Sequence, residues 1–292
     1  MRIKIVLAVV VCLFVFATVA AIAQEASPVP KVLQIFREEV KPGKALAHAQ
    51  HEAGWPRAFA KANWQTHYLA LTSITGPSEA WYVTPFESLE AWEKDTRASD
   101  ANEALSAELA ALSTADGEML SSVRSIVAVH RPELSYGPAA VIPKMRYFGV
   151  TTTRVKPGQM STFIEATNYM LDAHKKVDMK ESWATFEVVA GAPSGTFLTI
   201  FPVESLKDVD ANREMHNKGY RDAVAEVSRN RWGQLVGESV QMQETNYFSF
   251  SPKMSFVSKE FIAADPEYWT PKEVVATKPG KKPKGKTVAQ TQ

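Results

Sequence analysis

The sequence predicts an α+β fold made of two similar βαββαβ units, and three observations lead to this prediction. The segment Val40-Lys41-Pro42-Gly43 recurs 115 residues later as Val155-Lys156-Pro157-Gly158. Glu87-Ser88-Leu89 recurs 117 residues later as Glu204-Ser205-Leu206. Each Lys-Pro-Gly turn follows a run in which apolar and polar residues alternate, which is the pattern of a β-strand. Ordered matches over this distance indicate an internal duplication.

The elements of both units are expected in the same order. A strand leads through the Lys-Pro-Gly turn into a helix, two strands follow with a glycine-containing turn between them, and helical segments precede a final strand. This order gives a four-stranded antiparallel sheet with its helices on one face, the ferredoxin-like arrangement, and the two bare sheet faces can then stack. The predicted strands are 32–40, 67–74, 80–84 and 123–131 in the first unit and 147–155, 182–189, 196–201 and 240–248 in the second, with helical segments at 86–120 and 204–236.

The N-terminus has the layout of a secretory signal peptide. Arg2 and Lys4 precede an uncharged apolar run that ends in Ala21-Ile22-Ala23, so we expect cleavage after Ala23 and a periplasmic or secreted protein. An uncleaved membrane anchor is the alternative, because the run is nearly long enough to span a bilayer. Cys12, the only cysteine, lies inside this segment, which excludes disulfides and thiolate metal sites from the exported chain.

Charge is distributed unevenly along the chain. The tail from Pro271 to Gln292 contains six lysines and one glutamate, whereas residues 24–270 carry a net charge of −6. An acidic body argues against a nucleic-acid partner, and the tail offers at most a weak electrostatic contact with a membrane. We therefore divide the chain into a signal peptide (1–23), a first unit (24–140), a second unit (141–258) and a Lys/Pro-rich tail that is mostly disordered (259–292).

Three motifs make the chain resemble the dimeric α+β barrel superfamily, which includes antibiotic-biosynthesis-type monooxygenases, stress-responsive barrel proteins and NIPSNAP-like proteins. They are the strand that leads into Val-Lys-Pro-Gly and a helix, Gly76-Pro77-Ser78-Glu79-Ala80-Trp81-Tyr82, and Phe86-Glu87-Ser88-Leu89. The resemblance covers residues 31–250 and implies a monomer whose two units form one barrel. It also implies a pocket between helices and sheet, but it names no substrate, because the superfamily includes oxygenases, haem-handling enzymes, isomerases and proteins without known activity.

The first helix of the first unit carries the candidate site. At 100° per residue His48, His51, Glu52 and Trp55 fall within an arc of about 100° and share one face. The matching positions of the second unit form an apolar stripe, which indicates that this face points toward the sheet. In the alternative orientation a second stripe is buried and both histidines are solvated; that stripe consists of Leu46, Ala49 and Ala53.

An inward face would bury two imidazoles and a carboxylate, which must then bond one another, a ligand or a metal. We assign His48, His51 and Glu52 as catalytic candidates and, if a metal is bound, as its ligands, with Glu52 or His67 completing the set. A metal-free version uses His48 or His51 as a general base that Glu52 positions. Trp55, His67 and Tyr68 are the expected ligand-pocket residues, and a divalent metal, haem or no cofactor all remain open.

The other histidines give weaker signals. His130 is expected to be a packing residue, and His174 and His216 are expected at the surface because neither has an acidic partner at helical spacing. Three functions follow from the sequence: an oxygenase-like or isomerase-like enzyme with its site in the first unit, a non-catalytic envelope module that binds a small apolar or haem-like ligand, or a structural or interaction protein.

Overall fold

The computed structural model describes residues 28–217 and 224–270. The expected signal peptide and the segment 271–292 lie outside the described residues. The first half contains β1 (Val32–Val40), α1 (Ala45–Glu52), α2 (Gly54–Lys61), β2 (Leu69–Ser73), β3 (Glu79–Phe86), α3 (Leu89–Ala101), α4 (Glu103–Asp116) and β4 (Leu120–His130). The second half contains β5 (Tyr147–Val155), α5 (Met160–Val177), β6 (Ala184–Ala190), β7 (Thr196–Val203), α6 (Leu206–Met215), α7 (Glu226–Ser239) and β8 (Val240–Phe250), followed by α8 (Lys259–Ala264) and α9 (Pro266–Trp269).

The strands form one closed antiparallel barrel in the order β1-β3-β2-β8-β5-β7-β6-β4. Each half contributes four adjacent strands in the same relative order, as the predicted α+β fold of two ferredoxin-like units requires. Two seams join the halves, with Leu71 opposite Phe250 between β2 and β8, and Val127 opposite Ala190 between β4 and β6. Because closure leaves no free edge strand, the halves are parts of one barrel and not separate domains.

The inner faces of both sheets supply one apolar core. Ile35 and Trp81 from the first half and Val150 and Leu198 from the second belong to the same cluster of buried side chains. The helices cover the outer faces, so every other residue of a strand points toward a helix and not into the barrel. This alternation determines on which side of the sheet each candidate side chain lies.

The repeated sequence motifs have clear structural causes. Gly43 and Gly158 adopt φ values of +78° and +77°, which residues with a side chain rarely adopt, so both Lys-Pro-Gly turns require glycine. Ser88 accepts a hydrogen bond from the Ala91 N–H and caps α3, and Ser205 caps α6 in the same way together with Asp208.

The strand registers correct one detail of the predicted alignment between the halves. A β-bulge follows Glu39 in β1 and Arg154 in β5, after which Val40 lies opposite Leu120 and Val155 lies opposite Val240. Leu120, and not Val123, where the last strand of the first unit was expected to begin, is therefore the counterpart of Val240. The bulges match in the two halves, so the shift of three residues arises before them: Leu120 lies 31 positions after Leu89, whereas Val240 lies 34 positions after Leu206.

The boundary of the predicted C-terminal tail also needs correction. Residues 259–270 fold back as α8 and α9, and the Trp269 side chain enters the barrel core with its Nε1–H donating to the Pro143 carbonyl at 2.7 Å. The helical segments predicted as continuous runs are interrupted, since Asn102 separates α3 from α4 and caps the second helix. Within the described ranges, no helix has the length and apolar character needed to cross a bilayer.

Candidate functional site

Four ionisable side chains converge between the helices and the sheet of the first half. Glu38 extends from the helix-facing side of β1, His48 and Glu52 come from α1, and Asp116 is the last residue of α4. Each offers one ligand atom, and these atoms lie within 4.8 Å of one another. All four residues are at least nine-tenths buried. We call these residues the carboxylate–histidine cluster.

Two hydrogen bonds hold the side chains of the cluster in place. The His48 Nε2 atom lies 2.9 Å from Glu38 Oε2 and 3.7 Å from Asp116 Oδ1, so one ring nitrogen faces two carboxylates. Trp55 lies in the first turn of α2 and donates its Nε1–H to Glu52 Oε1 at 3.0 Å. The two residues are three positions apart across the junction at Ala53, a spacing at which helical side chains meet.

Several polar atoms around the cluster have no hydrogen-bond partner among the described residues. They include one oxygen of Asp116 and the hydroxyls of Tyr68 and Tyr82, and all three atoms are fully enclosed. Tyr82 lies close enough to Glu52 to lower the pKa of that carboxyl, yet it makes no hydrogen bond of normal geometry. Buried groups in this state are costly, and they mark a place where a further atom is expected.

Burial and mutual repulsion perturb the charges of the cluster. Burial, followed by the negative charge of Glu38, raises the pKa of Glu52 to about 7. Burial and Glu38 also raise the pKa of Asp116 to about 6. For His48, burial alone would lower the pKa, but the hydrogen bond with Glu38 and the nearby carboxylates outweigh it and raise the pKa. Without a cation, this site therefore takes up protons.

The orientation of α1 decides between the two predicted alternatives. His48 and Glu52 are both 2% exposed, whereas Leu46 on the other stripe is 73% exposed. The polar face therefore points toward the sheet. His51 lies at the edge of this face and does not join the cluster, because its Nε2 atom is 2.9 Å from the Leu112 carbonyl oxygen in α4.

The three expected pocket residues do not form one pocket. Trp55 and Tyr68 lie beside the carboxylate–histidine cluster: Trp55 donates to Glu52, and burial together with the negative charges of Glu52 and Glu38 raises the pKa of Tyr68. His67 precedes β2, stacks on Phe256 with ring centroids 4.8 Å apart and lines a cavity of about 610 Å³, to which Tyr68 also contributes. His67 is not among the residues whose ligand atoms converge in the cluster, so it does not complete a metal site with His48 and Glu52.

Sequence reasoning missed Glu38 and Asp116. Glu38 had a usable signal, because it lies in phase with Val32 and Val40 on a face that packs against helices, where a carboxylate is unusual. Asp116 gave no signal in the sequence, since it ends a helix whose position over α1 follows from the tertiary fold alone.

The second half replaces the cluster with uncharged residues. The two strand pairs share the same register, so Glu38 corresponds to Thr153 and Tyr82 corresponds to Thr199. On α5 the counterparts of His48 and Glu52 are Phe163 and Thr167, and the position before β8 that matches Asp116 is Val236. All of these replacements line one small cavity of about 80 Å³. The charged site thus belongs to the first half alone.

The prediction that His174 lies at the surface was wrong, whereas the His216 side chain is 37% exposed. His174 is 2% exposed, and its Nε2 atom lies 2.8 Å from Glu181 Oε1, which also contacts His216 Nε2 at 2.9 Å. Burial alone would raise the pKa of Glu181, but the hydrogen bonds with both histidines lower it to about 2. The acidic partner lies in the loop before β6, so helical spacing could not reveal it.

Comparison with known proteins bears on the fold. No model of a protein family matches the sequence, and no curated protein matches it. Among solved structures, an anthrone oxidase-like protein covers 78% of this chain and 94% of its own, with 10% identity and a TM-score of 0.52. A proposed monooxygenase from Lactobacillus acidophilus covers 76% and 94% with 8% identity and a TM-score of 0.47. A chlorite dismutase from Candidatus Nitrospira defluvii covers 78% and 93% with 12% identity and a TM-score of 0.43.

Sequence identities this low concern architecture and not activity. The anthrone oxidase-like protein and the closed eight-stranded barrel agree on the architecture. The chain has the fold of the dimeric α+β barrel proteins, completed here within a single polypeptide.

Proposed function

We propose that the first half is a metal centre in which Glu38, His48, Glu52 and Asp116 bind one divalent cation, and that the function of the protein depends on this ion. The observation that carries the proposal is the convergence of three carboxylates and an imidazole within 4.8 Å in a buried place. Three ionised carboxylates beside one imidazole leave excess negative charge, which a divalent cation would neutralise.

The position of Asp116 supports the same proposal. This carboxylate ends α4, where the partial negative charge of the helix dipole already disfavours an anion. One of its oxygens is enclosed without a hydrogen bond, and it faces His48. A bound cation would satisfy that oxygen and offset the repulsion from Glu38 at the same time.

The donor set favours a particular class of ion. Carboxylate oxygens suit Mg²⁺, Ca²⁺ and Mn²⁺, while imidazole suits iron, zinc, copper and nickel. Three carboxylates with one imidazole, and no thiolate, therefore favour Mn²⁺ or Fe²⁺. Ligand atoms this close together enclose a single ion and leave no flat cleft for a haem macrocycle.

An ion of this class prefers six ligands, so four protein ligands leave positions for small molecules. This supports an oxygenase-like role, in which the ion acts on a small molecule such as dioxygen or a peroxide. The fold shared with an anthrone oxidase-like protein is compatible with that role. The uncharged counterpart in the second half supports a single centre per chain, as expected after a duplication in which the two copies diverged.

We further propose that the centre operates outside the cytoplasm. Arg2, Lys4 and the apolar run that ends at Ala23 support export, and the acidic body supports a small-molecule partner over a nucleic acid. The protein would act as a monomer, because the halves complete the barrel between them.

The test uses the full chain, stripped with a chelator and then titrated with Mn²⁺ by calorimetry. We expect one ion per chain and a rise in Tm on binding. His48→Gln should weaken binding at least tenfold, whereas the matched variant His51→Gln on the same helix should bind normally. Glu181→Gln should also bind normally, which would exclude the histidine pair of the second half as the site. An equal loss in His51→Gln, or no stoichiometric binding, would overturn the proposal.

A second candidate function is metal-free proton transfer by Glu52. One observation favours it, namely that burial and Glu38 raise the pKa of this carboxyl to about 7, which is where a general acid or base works best near neutral pH. Difference infrared spectroscopy on Glu52→Gln and the parent chain would detect a carboxyl that titrates near neutrality. That signal in a chain that binds no Mn²⁺ would favour this function over the metal centre.

A further inference from the structure

One cavity opens into the barrel interior, and no residue of the carboxylate–histidine cluster lines it. It measures about 610 Å³ and lies at the end where β1, β2, β5 and β6 begin. Inward-facing residues from both halves form its floor, among them Leu33, Val83, Phe148 and Ile200, and each of these is less than one-tenth exposed. The cavity is therefore built into the shared core and is not a surface groove.

Three loop segments close around its mouth. Residues 28–30 precede β1, residues 136–140 belong to the connection between the halves, and Val257 to Phe261 lead into α8. A volume of this size within a largely apolar wall is the form that small-molecule sites take in proteins. An apolar cavity of this volume left unfilled would forfeit packing energy, so the shape favours an occupant.

The wall contains few polar groups and, among the described residues, its one charged side chain lies at the rim. No lysine or arginine lines the cavity within the described part of the chain, and the one carboxylate, Glu87, is exposed at the rim beside Lys31. Burial lowers the pKa of His67 and of His130, so both imidazoles are neutral near pH 7. A charged ligand would lose its hydration here without gaining an opposite charge.

One hydrogen bond indicates which polar group an occupant should carry. Ser135 donates its hydroxyl proton to the Arg131 carbonyl, so it accepts from His130 Nε2–H, 3.1 Å away. This fixes the His130 tautomer and leaves its other ring nitrogen as an acceptor. A ligand with one hydroxyl or N–H donor would suit that nitrogen.

We infer that the barrel end is a second binding site, which takes a neutral, apolar small molecule with a single hydrogen-bond donor. The site is separate from the proposed metal centre, because none of Glu38, His48, Glu52 and Asp116 lines the cavity. Both halves contribute to it, so the ligand contacts the two units at once.

The experiment is a fluorescence titration of the full chain with N-phenyl-1-naphthylamine, a neutral apolar probe with one N–H, in the presence of a chelator. The chelator makes the result independent of the metal centre. We expect the fluorescence of the probe to rise and saturate. 1-Decanol should displace the probe at a concentration at least tenfold lower than decanoate requires. No saturable enhancement, or equal competition by decanoate, would overturn the inference of a neutral ligand.

Two variants locate the probe. Ala184→Phe fills the cavity from β6 and should weaken probe binding at least tenfold. Ala190→Phe places the same ring at the opposite, exposed end of β6, outside the cavity, and should leave binding unchanged. Ala140→Trp at the mouth repeats the test if Ala184→Phe lowers the Tm. Equal affinity in Ala184→Phe or Ala140→Trp and the parent would show that the probe binds elsewhere.

Discussion

Glu52 and Asp116 are located where a carboxylate is difficult to keep ionised. Both are almost fully buried, both lie near Glu38, and each therefore has a raised pKa. Proteins of this size rarely retain such groups in the core without a partner. The stability of the metal-free chain should therefore depend on protons at this site.

We predict that the metal-free chain loses stability as the pH rises. The pKa of Glu52 is about 7 in the folded chain against a usual value of 4.5, so the folded state binds more protons between these values. Its contribution is complete below pH 4.5 and is lost as the pH rises through 7, by on the order of 3 kcal/mol. Asp116, with a pKa of about 6 against 3.8, acts in the same direction.

Urea unfolding between pH 4 and pH 8 with a chelator present would check this prediction. The informative quantity is the free energy of unfolding of the parent chain minus that of Glu52→Gln, because carboxylates outside the cluster contribute equally to both. This difference should fall with pH. A difference that stays flat would mean that Glu52 titrates normally.

At the level of single residues, the sequence allowed only part of the candidate site to be predicted. His48 and Glu52 could be found because their helical spacing and the apolar counterparts in α5 both point inward. Glu38 and Asp116 come from other elements, and their approach to His48 depends on how α1 packs over β1 and how α4 packs over α1. His67 was assigned to the same site as His48 and Glu52 because alternation along a strand shows which residues share a face of the sheet. It does not show whether that face meets the helices.

Among the elements, the β4–β6 seam depends on one glycine. Gly191 follows β6 with φ at +84°, and a Cβ atom there would lie 2.0 Å from the Ser125 carbonyl oxygen of β4. Both the backbone conformation and the close approach exclude a side chain. The two halves can therefore approach at this seam because position 191 is glycine.

We predict that Gly191→Ala destabilises the chain by about 2 kcal/mol or more, because the added methyl group meets the backbone of β4. Gly237→Ala is the matched control. Gly237 lies in α7 with open space around it, so alanine there should raise the free energy of unfolding by about 0.5–1 kcal/mol. Urea denaturation measures both changes. A Gly191→Ala chain as stable as the parent would show that the seam tolerates a side chain.

Most elements could be predicted from the sequence because their signals are local. The Lys-Pro-Gly turns, the serine caps and the alternation of β1 and β5 depend on neighbouring residues only. The bulges after Glu39 and Arg154 and the interruption at Asn102 could not be predicted, since they arise where strands pair and helices pack.

For the whole molecule, barrel closure makes the halves interdependent. β2 pairs with β8 and β4 pairs with β6, so neither sheet has a free edge within the barrel. The segment after β8 adds to this, because Trp269 is 1% exposed and packs on Phe250 in the common core. The sequence did not predict this contact, because Trp269 lies next to the Lys/Pro-rich residues and was assigned with them to a disordered tail.

We predict that Trp269→Ala lowers the free energy of unfolding of the whole barrel by about 3–5 kcal/mol, because it leaves a cavity in the core. Trp232→Ala in α7 removes an equally large ring that is 38% exposed and should cost about 1 kcal/mol. Chemical denaturation followed by circular dichroism and by tryptophan fluorescence would measure both. Similar losses in the two variants would contradict the assignment of Trp269 to the core.

The most direct test of the metal centre is a crystal structure of the Mn²⁺-loaded chain, with anomalous differences measured near the manganese absorption edge. We predict one strong anomalous peak within bonding distance of Glu38, His48, Glu52 and Asp116. Glu52→Gln crystals grown alongside should show a weaker peak or none. A manganese-soaked crystal with no anomalous peak between β1, α1 and α4 would contradict the metal centre.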